Sequence, residues 1–220
     1  MPERGKFFVF EGVDGSGKST RSQIAVNYLE SLGLKVLFLA EPVKNVVGDA
    51  IRKIVGQSEE KLPLLAQAFL FSANRAYAYE TIIRPALEDG TWIVMDRSWL
   101  STISYQGYGE GFGDKSLLKA LDTITQIAIK ETFFDFCVIC DISVSTALDR
   151  INLRGNKKDY FEKQNSEYLD RVRQGYLDAL ERYSYLKFYI LNTENNTKGD
   201  VEIMKSEIMD LLKPYLGGKV

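Results

Sequence analysis

Short, unbroken apolar runs alternate along this chain with longer stretches of helical periodicity. The segment Lys6 to Glu11 is aromatic and β-branched, the pattern of a strand covered on both faces. Four more such runs follow, Lys35 to Ala40, Trp92 to Met95, Phe136 to Ile142 and Lys187 to Leu191. Between them the spacing predicts helices from Lys18 to near Gly33, a short one over Asp49 to Val55, and a long one from about Leu62 to Glu88 that Asp89-Gly90 closes. A helical segment over Ser98 to Tyr105 meets the glycine-rich stretch Gly107 to Gly113, and another helix covers Lys115 to Lys130. Two helical regions flank Gly155 to Lys158, and the last helix spans Val201 to Leu216. Five apolar strands separated by helices call for an α/β fold of three layers, a five-stranded parallel sheet with helices on both faces.

Length and composition narrow this further. A chain of 220 residues is long enough to bury roughly 70% of the surface of its unfolded form in one core, and no linker or internal repeat divides it, so a single domain over residues 1–220 is expected. Hydrophobic residues at 45% and charged residues at 26% are ordinary for a globular protein. The net charge of −2 provides no global positive field to hold a nucleic-acid polymer. Any phosphate partner has to be gripped locally. No run approaches the ~18 apolar residues of a membrane span, and Met1-Pro2-Glu3-Arg4-Gly5 has no signal-peptide character, so a cytoplasmic protein without nucleic-acid or membrane partners is expected. There is no histidine, which removes imidazole acid–base chemistry. Cys137 and Cys140 have C-x-x-C spacing, but inside a strand their side chains point to opposite faces, which predicts two buried thiols rather than a redox or metal pair.

Three constellations carry chemistry. Gly12-Val13-Asp14-Gly15-Ser16-Gly17-Lys18-Ser19 fits G-x-x-x-x-G-K-S/T and stands between a strand and a helix. Its glycines let backbone N–H groups turn around phosphate oxygens, Lys18 reaches the β- and γ-phosphates, and Ser19 offers a hydroxyl to Mg²⁺. The motif predicts an ATP site on a P-loop NTPase fold, with Thr20 following in the same turn. Asp96-Arg97, at the end of the third strand, supplies a carboxylate for the metal shell and a guanidinium for a second phosphate. Phe71 and Arg75 lie one helical turn apart, so a ring that can stack on a base and a guanidinium that can reach its carbonyl share a face.

With these residues in view the chain resembles thymidylate kinase over nearly its whole length. Phe8-Val9-Phe10-Glu11-Gly12-Val13-Asp14 through Thr20 is similar to that family's opening, and Thr91-Trp92-Ile93-Val94-Met95-Asp96-Arg97, then Leu100-Ser101-Thr102 and Tyr105-Gln106-Gly107, to its Asp-Arg segment. The resemblance implies transfer of the γ-phosphoryl group of ATP to dTMP with Mg²⁺, and a homodimer built through packed helices. It implies that Phe71 stacks on thymine, Arg75 contacts the 4-carbonyl, Thr102 and Gln106 line the base pocket, and Tyr105 lies under the sugar. Arg97 would hold the acceptor phosphate, Asp14 would lie near the 3′-hydroxyl and the transfer region, and Glu41-Pro42 would match the second loop, with Pro42 near the thymine methyl. Two departures stand out: Ala40 occupies a position where the family commonly has arginine, and Tyr160 stands where the last lid arginine is expected. Gly15, at a position that carries arginine in some eukaryotic relatives, sides with members whose catalytic arginine comes from a lid, here residues 150–163. Arg150, Arg154, Lys157 and Lys158 are the basic candidates, with Arg154 assigned the catalytic place beside Lys18, Asp14 and Arg97.

Two other readings are kept open. One is a P-loop kinase for another nucleotide or deoxynucleoside. The other is a nucleotide-dependent switch, because Thr197-Lys198-Gly199-Asp200 fits the guanine-reading N/T-K-x-D pattern; its position beyond the last strand suits the start of the final helix better.

Overall fold

The computed structural model describes residues 3–57, 62–154, 161–162, 164–195 and 200–217. Five strands, β1 (Phe7–Glu11), β2 (Val36–Ala40), β3 (Trp92–Asp96), β4 (Phe136–Asp141) and β5 (Phe188–Asn192), form one parallel sheet in the order β2-β3-β1-β4-β5. Parallel neighbours need crossover connections, and the helices supply them: α1 (Lys18–Ser31), α2 (Val46–Gln57), α3 (Leu64–Ala78), α4 (Arg84–Glu88), α5 (Trp99–Thr102), α6 (Lys115–Ile129), α7 (Val144–Leu153), α8 (Ser166–Arg182) and α9 (Val201–Leu212).

Strand alternation sorts the core into two layers. Phe7, Val9, Met95, Cys137 and Ile139 face a cluster with residues of α3, α6 and α8, while Phe8, Phe10, Val94, Val138 and Cys140 face α1 and α9. Cys137 and Cys140 therefore point to opposite faces, both as buried free thiols. Burial pushes the Cys140 thiol up to about 12, far from the thiolate that metal or redox chemistry requires. The central strand β1 is buried at all five positions, which is why its sequence reads as an unbroken apolar run rather than an alternation.

Two elements differ from expectation in the same way. The long helix predicted over Leu62 to Glu88 widens into a π-helical turn at Tyr79–Ile83 between α3 and α4. Pro85, at the start of α4, brings no N–H to the ladder, and the widened turn lies directly ahead of it. The Thr81 hydroxyl donates to the Tyr77 carbonyl within this region at 2.8 Å. The segment predicted to end near Tyr105 instead continues beyond α5 as a π-helix over Ile103–Glu110. Its glycines are packing positions rather than a turn: a Cβ on Gly109 would stand 2.8 Å from Tyr168 and Val172 of α8.

β1 has β3 on one side and β4 on the other, so the strand order reverses there. Open α/β sheets bind ligands at the carboxyl ends of the strands flanking such a point. Gly12, at φ +139°, starts the loop that leaves β1 at that edge, and a Cβ there would stand 2.4 Å from the Cys140 carbonyl oxygen. Only glycine passes so close to the end of β4.

Candidate active site

The phosphate loop joins β1 to α1, with Gly17 at the N-cap of α1. Lys18 is buried, its Nζ 3.4 Å from the Val13 carbonyl oxygen and 3.5 Å from Asp14 Oδ1. Burial, reinforced by Arg97, pushes its pKa down, while Asp14, Asp96 and Glu11 oppose that. A poorly solvated ammonium gains strongly from a nearby phosphate. Asp14, Gly17, Lys18, Ser19, Thr20, Asp96 and Arg154 line one cleft over this loop, together with Ala40, Glu41 and Arg97.

Arg97 follows β3 directly in a left-handed conformation, φ +69°, that a side-chain-bearing residue adopts at a cost. Its guanidinium pairs with Asp14, donates to the Tyr105 hydroxyl at 3.1 Å and to Ser101 Oγ at 3.2 Å, and lies 5.0 Å from the Tyr105 ring centroid. Tyr105 in turn donates to Asp14 Oδ2 at 2.9 Å. Burial favours the neutral acid at Asp14, but Arg97, Lys18 and the Tyr105 hydroxyl outweigh it and hold the carboxyl well below the usual carboxylate range. Asp14 is thus a fixed negative charge wedged between two cations.

A second cleft extends from this point. It is lined by Phe71, Ser101, Thr102, Tyr105 and Gln106, by Pro42, Ile51, Arg52 and Val55, and by Phe161. Asp14, Glu41 and Arg97 belong to both clefts, so the two open onto one junction. Arg75 stands behind the wall. It is almost wholly buried, pairs with Glu41 through two nitrogens and donates to Thr102 Oγ1 at 2.9 Å and Ser72 Oγ at 3.4 Å. Four of its five N–H groups are accounted for by these bonds. Gln106 donates to Gln67, which donates to Glu110, fixing the amide's orientation at the cleft.

Among the lid candidates, Arg154 reaches the phosphate-loop cleft and lies 3.6 Å from Glu162. Arg150 is turned behind the loop, donating to the carbonyls of Gly15, Thr193 and Glu194. Lys157, Lys158 and Tyr160 lie outside the described residues, as do Thr197, Lys198 and Gly199; Asp200 stands at the N-cap of α9. For a divalent cation, Ser19 and Asp96 share the cleft with Lys18, and Asp96 Oδ1 is buried without a hydrogen bond. An orphaned carboxylate oxygen and a nearby hydroxyl suit a hard cation that takes its other ligands from phosphates and water.

Several residues at the site carried no sequence motif. Ile51, Arg52 and Val55 come from one face of α2, where helical periodicity alone reads as core. Glu11 had a signal, a carboxylate at the end of a fully apolar strand. It is buried and accepts from Ser98 N (2.6 Å), Ser98 Oγ (2.9 Å), Ser101 N (3.2 Å), Ser101 Oγ (2.8 Å) and the Tyr176 hydroxyl (3.0 Å). Tyr176, 165 residues away on α8, had no signal.

Comparison with known proteins agrees with this geometry. The thymidylate kinase family model matches residues 10–204. A thymidylate kinase from Caldicellulosiruptor saccharolyticus is 35% identical over 96% of this chain and 98% of its own length, and one from a Synechococcus strain is 36% identical over 82% and 87%. The crystal structure of thymidylate kinase from Ehrlichia chaffeensis superposes with a TM-score of 0.72 at 25% identity, covering 96% of this chain and 99% of that one. A strand-end phosphate loop, an Asp-Arg pair on the adjacent strand and a match over nearly the whole length place this chain in the thymidylate kinase family.

Proposed function

We propose that this enzyme transfers the γ-phosphoryl group of ATP to dTMP, yielding ADP and dTDP in the supply of dTTP. The observation that carries the reading is the junction of the two clefts at Asp14 and Arg97. A donor triphosphate on the phosphate loop and an acceptor monophosphate in the second cleft bring their reacting groups to that junction. Phosphoryl transfer needs positioning and charge neutralisation more than proton chemistry, which suits a site without histidine.

In this reading residues 12–20, from Gly12, Val13, Asp14, Gly15, Ser16 and Gly17 to Lys18, Ser19 and Thr20, cradle the ATP phosphates, and Lys18 follows the charge onto the β–γ bridge. Arg97 clamps the acceptor phosphate, and Asp14 holds Arg97 and Lys18 apart and in register. Arg154 closes on the transferring group as part of a lid over residues 150–163, excluding water. Ser19 and Asp96 would hold Mg²⁺, which would supply charge neutralisation on the phosphate oxygens. Thymine stacks on Phe71 against Pro42, with Thr102, Gln106 and the remaining N–H of Arg75 at its polar edge. Tyr105 lies under the deoxyribose, where a 2′-hydroxyl collides with its ring.

The enzyme is further proposed to be a cytoplasmic homodimer. Leu65, Phe69, Ala73 and Tyr77 are four residues apart and exposed on α3, with Phe69 58% exposed, and Ile127 on the neighbouring α6 is 70% exposed. An apolar stripe of this kind favours helix-to-helix association, and sedimentation tests it. No helix among the described residues is long and apolar enough to cross a membrane. Coupled assays with dTMP, dUMP, UMP and dGMP as acceptors test the activity; a purine monophosphate as the best acceptor would leave a P-loop kinase of different specificity.

A further inference from the structure

Glu11 lies beneath the site without facing either cleft, yet its carboxylate accepts five hydrogen bonds. Burying a carboxylate is costly unless its surroundings require it, and five donors from two elements amount to a built socket. Three of them, Ser98 N, Ser98 Oγ and Ser101 N, converge on Oε1 and pin the chain that follows Arg97. The other two, Ser101 Oγ and the Tyr176 hydroxyl, converge on Oε2. Those same two oxygens accept from Arg97 Nη1, at 3.2 and 3.4 Å.

The direction of these bonds carries the argument. A carboxylate can only accept, and each hydroxyl has a single proton. Ser101 and Tyr176 direct their protons to Glu11 or to each other, which leaves lone pairs facing Arg97. Their oxygens lie 2.9 Å apart, and the guanidinium N–H of Arg97 bridges them. The left-handed backbone of Arg97 is held by the same residue, because Glu11 ties down Ser98 immediately after it.

We infer that Glu11 is a positioning residue for acceptor binding: through Ser98, Ser101 and Tyr176 it fixes both the backbone conformation and the guanidinium orientation of Arg97. The inference rests on the reading that Arg97 holds the acceptor phosphate. Packing alone would be served equally by glutamine. The acceptor role is not, since an amide places an NH₂ among the hydroxyls and turns their protons toward Arg97.

The test compares Glu11→Gln, Tyr176→Phe, Arg97→Ala and the double variant Glu11→Gln/Arg97→Ala, with dTMP and ATP binding measured separately by calorimetry on the full chain. Glu11→Gln is expected to weaken dTMP binding roughly tenfold or more, in the range of a charged hydrogen bond, with ATP affinity changed less than about twofold. Tyr176→Phe keeps the carboxylate and the fold and is expected to move dTMP binding the same way by less, and it decides the matter if Glu11→Gln does not fold. In the Arg97→Ala background, Glu11→Gln is expected to add nothing, as a residue acting through Arg97 must. Unchanged dTMP affinity in folded Glu11→Gln and Tyr176→Phe, parallel loss of both ligands, or full additivity in the double variant overturns the inference. Retention of dTMP affinity in Arg97→Ala overturns instead the reading beneath it.

Discussion

The donor cleft and the acceptor cleft share a junction but are built differently. The donor side takes half of its lining, Asp14, Gly17, Lys18, Ser19 and Thr20, from one contiguous loop and the start of α1 that follows it. The acceptor side is assembled from side chains of the loops that follow β1, β2 and β3 and of α2, α3, α5 and the π-helix after α5, several held by partners that never face the cleft. A backbone cradle recognises phosphate by shape and dipole and tolerates change in its neighbours. A side-chain cleft recognises one acceptor and depends on each support behind it.

That contrast is broken most directly at Arg97. Arg97→Ala removes the proposed charge partner of the acceptor phosphate, and dTMP affinity is expected to fall by about 2–5 kcal/mol while ATP affinity is spared. Calorimetric titration of each ligand checks this; equal loss of both would erase the division into two clefts. Lys18→Ala attacks the other side. With the ammonium gone, kcat is expected to drop ~10²-fold or more in a protein that still unfolds cooperatively, and near-normal turnover would remove the phosphate loop from the transfer step.

Acceptor selection sharpens the comparison at smaller scale. The 5-methyl of thymine makes one apolar contact, worth about 1–3 kcal/mol or roughly 10–200-fold, so dTMP is expected to exceed dUMP modestly in kcat/KM. A cytosine amino group facing the Arg75 N–H leaves two donors without an acceptor, which costs more, and dCMP is expected to be the poorest pyrimidine. Replacing Tyr105 by a smaller residue is expected to lower overall affinity, because its hydroxyl joins Asp14 and Arg97, yet to raise the UMP to dUMP ratio. An unchanged ratio places the ribose gate elsewhere.

The smallest effect lies outside both clefts. Glu194 accepts from Ser143 N at 2.7 Å and from the Ser143 and Thr146 hydroxyls, tying the loop after β5 to α7. These bonds lower its carboxyl to about 2. A carboxylate depressed in the folded state stabilises above its ordinary value, and that contribution is lost as pH falls through the folded one. The difference in Tm between the parent and Glu194→Gln is therefore expected to narrow as the pH drops from about 5 toward about 2, with little change in dTMP binding at neutral pH.

Much of the fold was legible because its elements obey local rules. The five strands appear where apolar runs predicted them, and the sheet is parallel, with β1 and β3 buried at every position and the edge strands β2 and β5 only in part. The helix limits were less legible. Pro85 marked a break in the helix ahead of it, but nothing local announces that the helix after α5 continues through Gly107 and Gly109, because that depends on what packs against them. At the site, Lys18, Asp96, Arg97 and Phe71 occupy cleft walls as their motifs suggested, whereas no motif announced that Arg75 is buried and bonded to Glu41, Thr102 and Ser72.

By itself the sequence determined the phosphate loop, the strand-helix alternation and the inventory of charged and aromatic groups at strand ends. Those are properties of contiguous residues, set by glycine's conformational range, by side-chain period and by the absence of histidine. Tertiary structure decided which distant groups share a charge. It placed Arg97 against Asp14 and Tyr105, turned Arg150 away from the cleft that Arg154 reaches, and brought Tyr176 to Glu11 across 165 residues of chain. The reason is physical: a buried charge is tolerated only where partners from several elements converge, and convergence is a property of the folded core that no window of sequence contains.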